Sequence, residues 1–155
     1  LKCRSRMHYY LADQSAARIE SGSRALLLDA ERRVIESSTA NILIYKKNQG
    51  ILTPPVESAL PGISLLYTQQ IAKQLNVSWK HCSFFPEAVA EAGEVFLSST
   101  PFCLLPVTRF NGQPIGNGQP GPVFQQLATH WSESVGVDFI AQANRFADRS
   151  GSQGH

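Results

Sequence analysis

The stretch Val34-Ile35-Glu36-Ser37-Ser38-Thr39-Ala40-Asn41 decides how the chain folds. Val34 and Ile35 are β-branched and favour a strand, while the residues from Ser37 to Asn41 are small or polar and favour a turn. Ile42–Tyr45 then resumes an apolar strand. An acid at the last position of the first run is ordinarily a solvated strand end. Here five small or polar residues follow before the next apolar strand, so Glu36 is kept as a candidate functional carboxylate beside that ordinary reading.

Working outward, Arg24–Leu28, Val34–Glu36, Asn41–Lys46 and Ile51–Thr53 are short β-rich runs separated by Asp-Ala-Glu and Asn-Gln-Gly. They predict an antiparallel meander. Upstream, Tyr9, Ala12, Ala16 and Ile19 share a face of a predicted helix over 7–20, with Gly22 placed to end it. Downstream, Thr53-Pro54-Pro55 breaks the β pattern and Leu60-Pro61-Gly62 opens a helix over 63–75. Its predicted inward face is Ile63, Leu66, Tyr67, Ile71 and Leu75. Val77–Cys82 predicts a strand, Pro86–Glu91 a short helix with proline in its first turn, and Glu94–Ser98 another strand. Leu104–Phe110 pairs with Pro114–Ile115 across Asn111-Gly112, a hairpin turn. Helices resume at Val123 and near Asp138.

The whole predicts a mixed α/β (α+β) fold in a single domain over 1–148, with a disordered tail over 149–155. At 155 residues the chain is long enough to bury a core. Fourteen basic residues against twelve acidic ones leave a formal charge of +2, and the basic residues form no stripe, so nucleic-acid binding is not expected. Three cysteines without CxxC spacing do not suggest a disulfide framework, and a cytoplasmic location is the expectation. The histidines have no metal-ligand spacing, and no apolar run approaches membrane-spanning length.

Four features carry chemistry. Lys2, alone, would be a surface amine. Glu36 is an isolated acid. Leu60-Pro61-Gly62-Ile63-Ser64 starts a helix whose unpaired N–H groups and dipole suit a phosphate, with the Ser64 hydroxyl beside them. Ser98-Ser99-Thr100 places hydroxyls at a strand end. An amine, an acid, a helix start and a strand end rich in hydroxyls are the groups that a phosphorylated aldehyde cofactor needs.

In order and spacing the set resembles the class IV (fold type IV) pyridoxal-phosphate enzymes, which include branched-chain aminotransferases, D-amino acid aminotransferases and aminodeoxychorismate lyases. The resemblance runs from Lys2 to about Leu127. It is carried by Glu36 with Asn41, Leu52-Thr53-Pro54-Pro55, Leu60-Pro61-Gly62-Ile63, Glu94-Val95-Phe96-Leu97 through Thr100, Pro106-Val107 and Gly121-Pro122. It implies the C-terminal pseudo-barrel domain of the D-amino acid aminotransferase-like fold. It also implies that Lys2 bonds to pyridoxal 5'-phosphate as a Schiff base and shuttles protons. Glu36 would face the pyridine nitrogen, and Ile63, Ser64 and Thr100 would hold the phosphate. Asn41 would organise the loop behind Glu36.

Departures narrow the subfamily. Ser37-Ser38-Thr39 replaces a glycine-rich sequence, Gly93 stands where an acid is usual, and Met7 falls where branched-chain aminotransferases place a tyrosine, with Tyr9 or Tyr10 as substitutes. Pro101 lacks the N–H that would bind a substrate carboxylate. D-amino acid transamination and 4-amino-4-deoxychorismate cleavage both stay open, as does a non-catalytic binding or assembly module that keeps the fold. In the family the cofactor lies between two domains, and only Leu1 precedes Lys2. The expectation is a C-terminal domain without its N-terminal partner domain, weakly active alone and self-associating as a homodimer, acting on a small amino-acid-type substrate.

Overall fold

Apolar runs such as Asn41–Lys46 and Glu94–Ser99 have hydrophobic side chains on both faces, which suits strands covered on both sides. The computed structural model, which describes residues 6–151, places them side by side at the centre of a five-stranded sheet. The elements in chain order are α1 (Met7–Ile19), β1 (Leu26–Leu28), β2 (Val34–Ser37), β3 (Asn41–Lys46), β4 (Gly50–Thr53) and α2 (Ile63–Gln74). β5 (Trp79–His81), α3 (Pro86–Ala90), β6 (Glu94–Ser99), β7 (Cys103–Val107), β8 (Arg109–Phe110), β9 (Gln113–Pro114), α4 (Pro122–Val135) and α5 (Phe139–Gly151) follow.

The sheet order is β5-β4-β3-β6-β7. β3 is antiparallel to β4 and β6, and β6 to β7, whereas β4 and β5 are parallel. A parallel neighbour needs a crossover, and α2 provides it. Alternation along β3 and β6 sends Leu43 and Phe96 to the side covered by α2 and α4, where Leu65, Ile71, Phe124, Leu127 and Trp131 join them. Ile42, Ile44, Val95 and Leu97 go to the other side, against Val34, Phe84, Val89 and Ile115. The expected mixed α/β architecture is therefore observed, and the Asn111-Gly112 hairpin joins β8 to β9 with both turn residues at positive φ (49° and 77°).

Three expectations are corrected. The four early strands do not form one meander: β1 pairs with β2 in a separate two-stranded sheet. Between β2 and β3 the pairing is a single bridge, Ser37 to Ala40, across a tight turn. In α1 the expected face is half-buried at Tyr9, Ala12 and Ala16, but it ends there: Ile19 is 89% exposed and no residue of the helix is fully buried. Polar links hold this helix instead: Asp13 accepts the Ala25 N–H at 3.0 Å and pairs with Arg24 at 3.2 Å, and Glu20 pairs with Arg109 at 2.9 Å.

The third correction concerns α2, which buries Ser64, Leu65, Thr68, Ile71 and Ala72 while Ile63 is 82% and Leu66 53% exposed. Small and hydroxyl-bearing residues face inward because its first turns lie on polar strand ends, where hydroxyls find partners. Helix α5 runs to Gly151, and residues 152–155, in the expected tail, lie outside the described residues.

Candidate functional site

At one end of the sheet, the start of β3 lies beside the end of β6, with Asn41 paired to Ser98. Two side chains bring the other candidate segments to this end. The Asn41 carboxamide donates to the Leu60 carbonyl at 2.7 Å and accepts the Gly62 N–H at 3.3 Å. The Ser99 hydroxyl donates to the Thr39 carbonyl at 2.8 Å, fastening the turn after Glu36 to the end of β6. A third link runs through the interior. Thr68 donates to the Ser64 carbonyl at 2.7 Å and lies 3.5 Å from the Ser98 hydroxyl, which donates to the Cys103 carbonyl at 3.2 Å. Thus the start of α2 is linked to the β3–β6 end directly, and the turn after Glu36 is linked to it through Thr39 and Ser99, next to Thr100.

The start of α2 leaves its first N–H groups open, a setting that suits an anion. Gly62 is its N-cap, no side chain caps the helix, and no acid lies in its first turn. The leading N–H groups of an α-helix have no intrahelical partner, and with the dipole they attract negative charge. Gly62 has no room for a side chain: an added Cβ would lie 2.6 Å from Asn41 Oδ1. Ile63 turns its side chain to solvent, so its contribution is its backbone. Ser64 is buried, and Thr100 is exposed in the three-residue turn joining β6 to β7.

Glu36 stands in β2, opposite Leu27 of β1, half-buried. Its Oε1 accepts the Tyr9 hydroxyl at 2.6 Å. The helix phase thus presents Tyr9, not Met7 or Tyr10, both of which are exposed. Asn41 organises the Leu60–Gly62 loop rather than the turn behind Glu36, a role legible only once β3 and α2 are placed side by side. Thr68 escaped the sequence reading altogether, although a threonine four residues after Ser64 is the spacing at which a helical hydroxyl reaches back to a carbonyl.

Cys103 borders this end too, and burial pushes its thiol up, away from the thiolate form. Lys2 lies outside the described residues. Among the described residues, no group of three His, Cys, Asp or Glu side chains is placed to hold a metal ion, and no helix is long and apolar enough to cross a membrane. An open groove of about 580 Å³ lies between the C-terminal half of α2 and β5, lined by Leu66, Gln69, Lys73, Val77 and Trp79. None of the candidate residues lines it; the site is an open sheet end rather than an enclosed pocket.

The donor set fits a phosphorylated ring cofactor: an uncapped helix start for the phosphate, and a carboxylate on the adjoining strand with one oxygen left for a ring N–H. The fold is that of the fold type IV aminotransferases. The T.th. branched-chain amino acid aminotransferase, solved in complex with N-(5'-phosphopyridoxyl)-L-glutamate, superposes with a TM-score of 0.78 at 29% identity, over 84% of this chain and 44% of that one. The sequence profile of the amino-transferase class IV family matches residues 1–110, and the chain belongs to that family.

Among curated relatives, a D-alanine aminotransferase of Bacillus licheniformis is 27% identical over 116 residues, 75% of this chain and 41% of that protein. A probable branched-chain-amino-acid aminotransferase of Aquifex aeolicus is 32% identical over 112 residues, 72% of this chain and 36% of its own length. The chain therefore spans well under half the length of such curated relatives, from 22% to 41%.

Proposed function

We propose that this chain is the cofactor-holding unit of a pyridoxal-phosphate-dependent class IV aminotransferase or lyase. Its substrate is of amino-acid type, for D-amino acid transamination or 4-amino-4-deoxychorismate cleavage. One observation carries the reading: the Asn41 clamp on Leu60 and Gly62, with the Ser99–Thr39 link, holds an uncapped helix start at the same sheet end as the Glu36 strand. An anion and a ring nitrogen of one small molecule can be bound there together.

Within this reading each residue has a task. The backbone N–H groups of Ile63 and Ser64, with the Ser64 hydroxyl, bind phosphate oxygens, and Thr100 adds a hydroxyl from the strand end. Glu36 holds the proton of the ring nitrogen through the oxygen that Tyr9 leaves open. Pyridoxal 5'-phosphate, when bound, supplies an electron-poor ring that makes the α-proton of an attached amino acid removable. Lys2 would supply the amine that holds the cofactor and the base that takes up that proton. Its role rests on its place in the sequence and on the family.

In this reading the chain alone binds cofactor weakly and turns over little, because it matches less than half the length of its relatives. The full-length protein carrying this sequence is expected to give a saturable absorbance change with pyridoxal phosphate. It is also expected to act on D-amino acids or on aminodeoxychorismate in preference to branched-chain amino acids. No saturable binding would overturn the reading.

Pro101 favours a second reading. It sits in the exposed turn after Thr100 and has no N–H to offer a substrate carboxylate. A non-catalytic module that keeps the fold would bind cofactor without turnover of any of the three substrate classes.

A further inference from the structure

Tyr9 and Glu36 are 27 residues apart, and their 2.6 Å hydrogen bond joins α1 to β2. Among the described residues the Tyr9 phenol is the one hydrogen-bond donor to the Glu36 side chain, and no cation pairs with that carboxylate. We propose that Tyr9 is a positioning residue, which fixes the Glu36 carboxylate so that its second oxygen is presented to the cofactor ring; this rests on the functional reading above.

The chemistry favours a phenol in this place. A glutamate on a half-buried strand rotates freely about its last torsion unless something holds one oxygen, and a short O–H···O⁻ bond does so. Arginine or lysine would hold it equally well, but a positive charge beside the carboxylate would repel a protonated ring nitrogen. A neutral donor orients the carboxylate without cancelling its charge. The phenol is itself braced by the His8 ring, with centroids 4.0 Å apart. Nor is the bond needed merely to attach α1, because Asp13 to Ala25 and Arg24, and Glu20 to Arg109, attach the same helix independently.

The test compares unsubstituted full-length protein with Tyr9→Phe, Glu36→Gln, the double variant, and Asp13→Asn as a control that loosens α1 elsewhere. Two quantities are read: the dissociation constant for pyridoxal phosphate, and the absorption maximum of the bound cofactor, which reports the state of its ring nitrogen. Tyr9→Phe is expected to weaken binding about tenfold, the scale of a lost hydrogen bond to a charged group, and to move the absorption maximum in the direction that Glu36→Gln moves it. In the Glu36→Gln background the same substitution should change neither quantity further. Asp13→Asn should leave the maximum in place.

Equal effects of Tyr9→Phe in both backgrounds, an unmoved maximum, or a shift of the same size from Asp13→Asn would each overturn the assignment, since all three describe a structural tether. Tyr9→Phe indistinguishable from the unsubstituted protein, while Glu36→Gln is impaired, would overturn it and leave the functional reading intact. Failure of the unsubstituted protein to bind the cofactor would remove both.

Discussion

Asn41 holds the backbone of Gly62 from a neighbouring strand, and Gly62 leaves the space that the Asn41 carboxamide occupies. The backbone of Gly62 is at φ −68° and ψ 146°, a conformation open to any residue, so glycine is required by the contact and not by strain. Gly62→Ala would put a Cβ 2.6 Å from Asn41 Oδ1, an atom already tied down through its own amide to Leu60. The asparagine must move and both of its hydrogen bonds weaken. The expected outcome is a loss of about 1–3 kcal/mol by chemical denaturation, with weaker binding of phosphate-bearing cofactor by titration.

A carboxylate can also serve structure alone. Glu94, 8% exposed on β6, accepts the N–H groups of Val123 and Phe124 at 2.9 and 2.8 Å and thereby caps α4. Its side chain fills the space where Gly121 would carry a Cβ. Glu94→Ala strands two buried donors and should cost at least about 2 kcal/mol; Glu94→Gln, with one acceptor oxygen left, should cost about half as much. Urea denaturation of the two variants measures both.

The interior link is weaker but more specific. Thr68→Val keeps the shape of the side chain and removes the hydroxyl that joins the Ser64 carbonyl to Ser98. A loss of about 1 kcal/mol is expected in thermal or chemical denaturation, since both former partners are buried.

Attachment of α1 should depend on pH through Asp13. Burial alone would raise the Asp13 pKa, but the Ala25 N–H and the Arg24 guanidinium outweigh it and hold the carboxyl below its ordinary value. The buried Ser38 hydroxyl, although outside hydrogen-bonding geometry with any partner, lies close enough to favour the same ionised form. A folded-state pKa below the unfolded one means that the unfolded chain binds protons first. The contribution is complete above about pH 5 and is lost as the pH falls through the ordinary carboxylate range and below it. Amide exchange in α1 should therefore speed up on acidification, and Asp13→Asn should flatten that dependence.

Much of this arrangement was legible in the sequence. Val34–Glu36, the turn to Asn41 and the Gly62 helix start were found where strand and turn chemistry put them, because local steric preferences dominate there. The faces of α1 and α2 were legible only in part: Tyr67, Ile71 and Leu75 turn inward as expected, Ile19, Ile63 and Leu66 do not. Periodicity assigns Ile19 and Ile63 to a core, but it cannot register that α1 is held by polar links or that the inner face of α2 meets hydroxyl-bearing strand ends. Glu94 and Gly121 stood out as spaced residues, yet their partnership spans two elements and shows only in three dimensions. The Tyr9–Glu36 bond likewise depends on how α1 lies against β2.

The central claim is that Lys2 and Glu36 serve one cofactor. Treating the full-length protein with pyridoxal phosphate, reducing with borohydride and mapping the modified residue by mass spectrometry tests it most directly. A phosphopyridoxyl group on Lys2, greatly diminished in Glu36→Gln, is the predicted result. A protein that stays unmodified, or carries the group on Lys46, Lys47, Lys73 or Lys80 instead, would contradict the account.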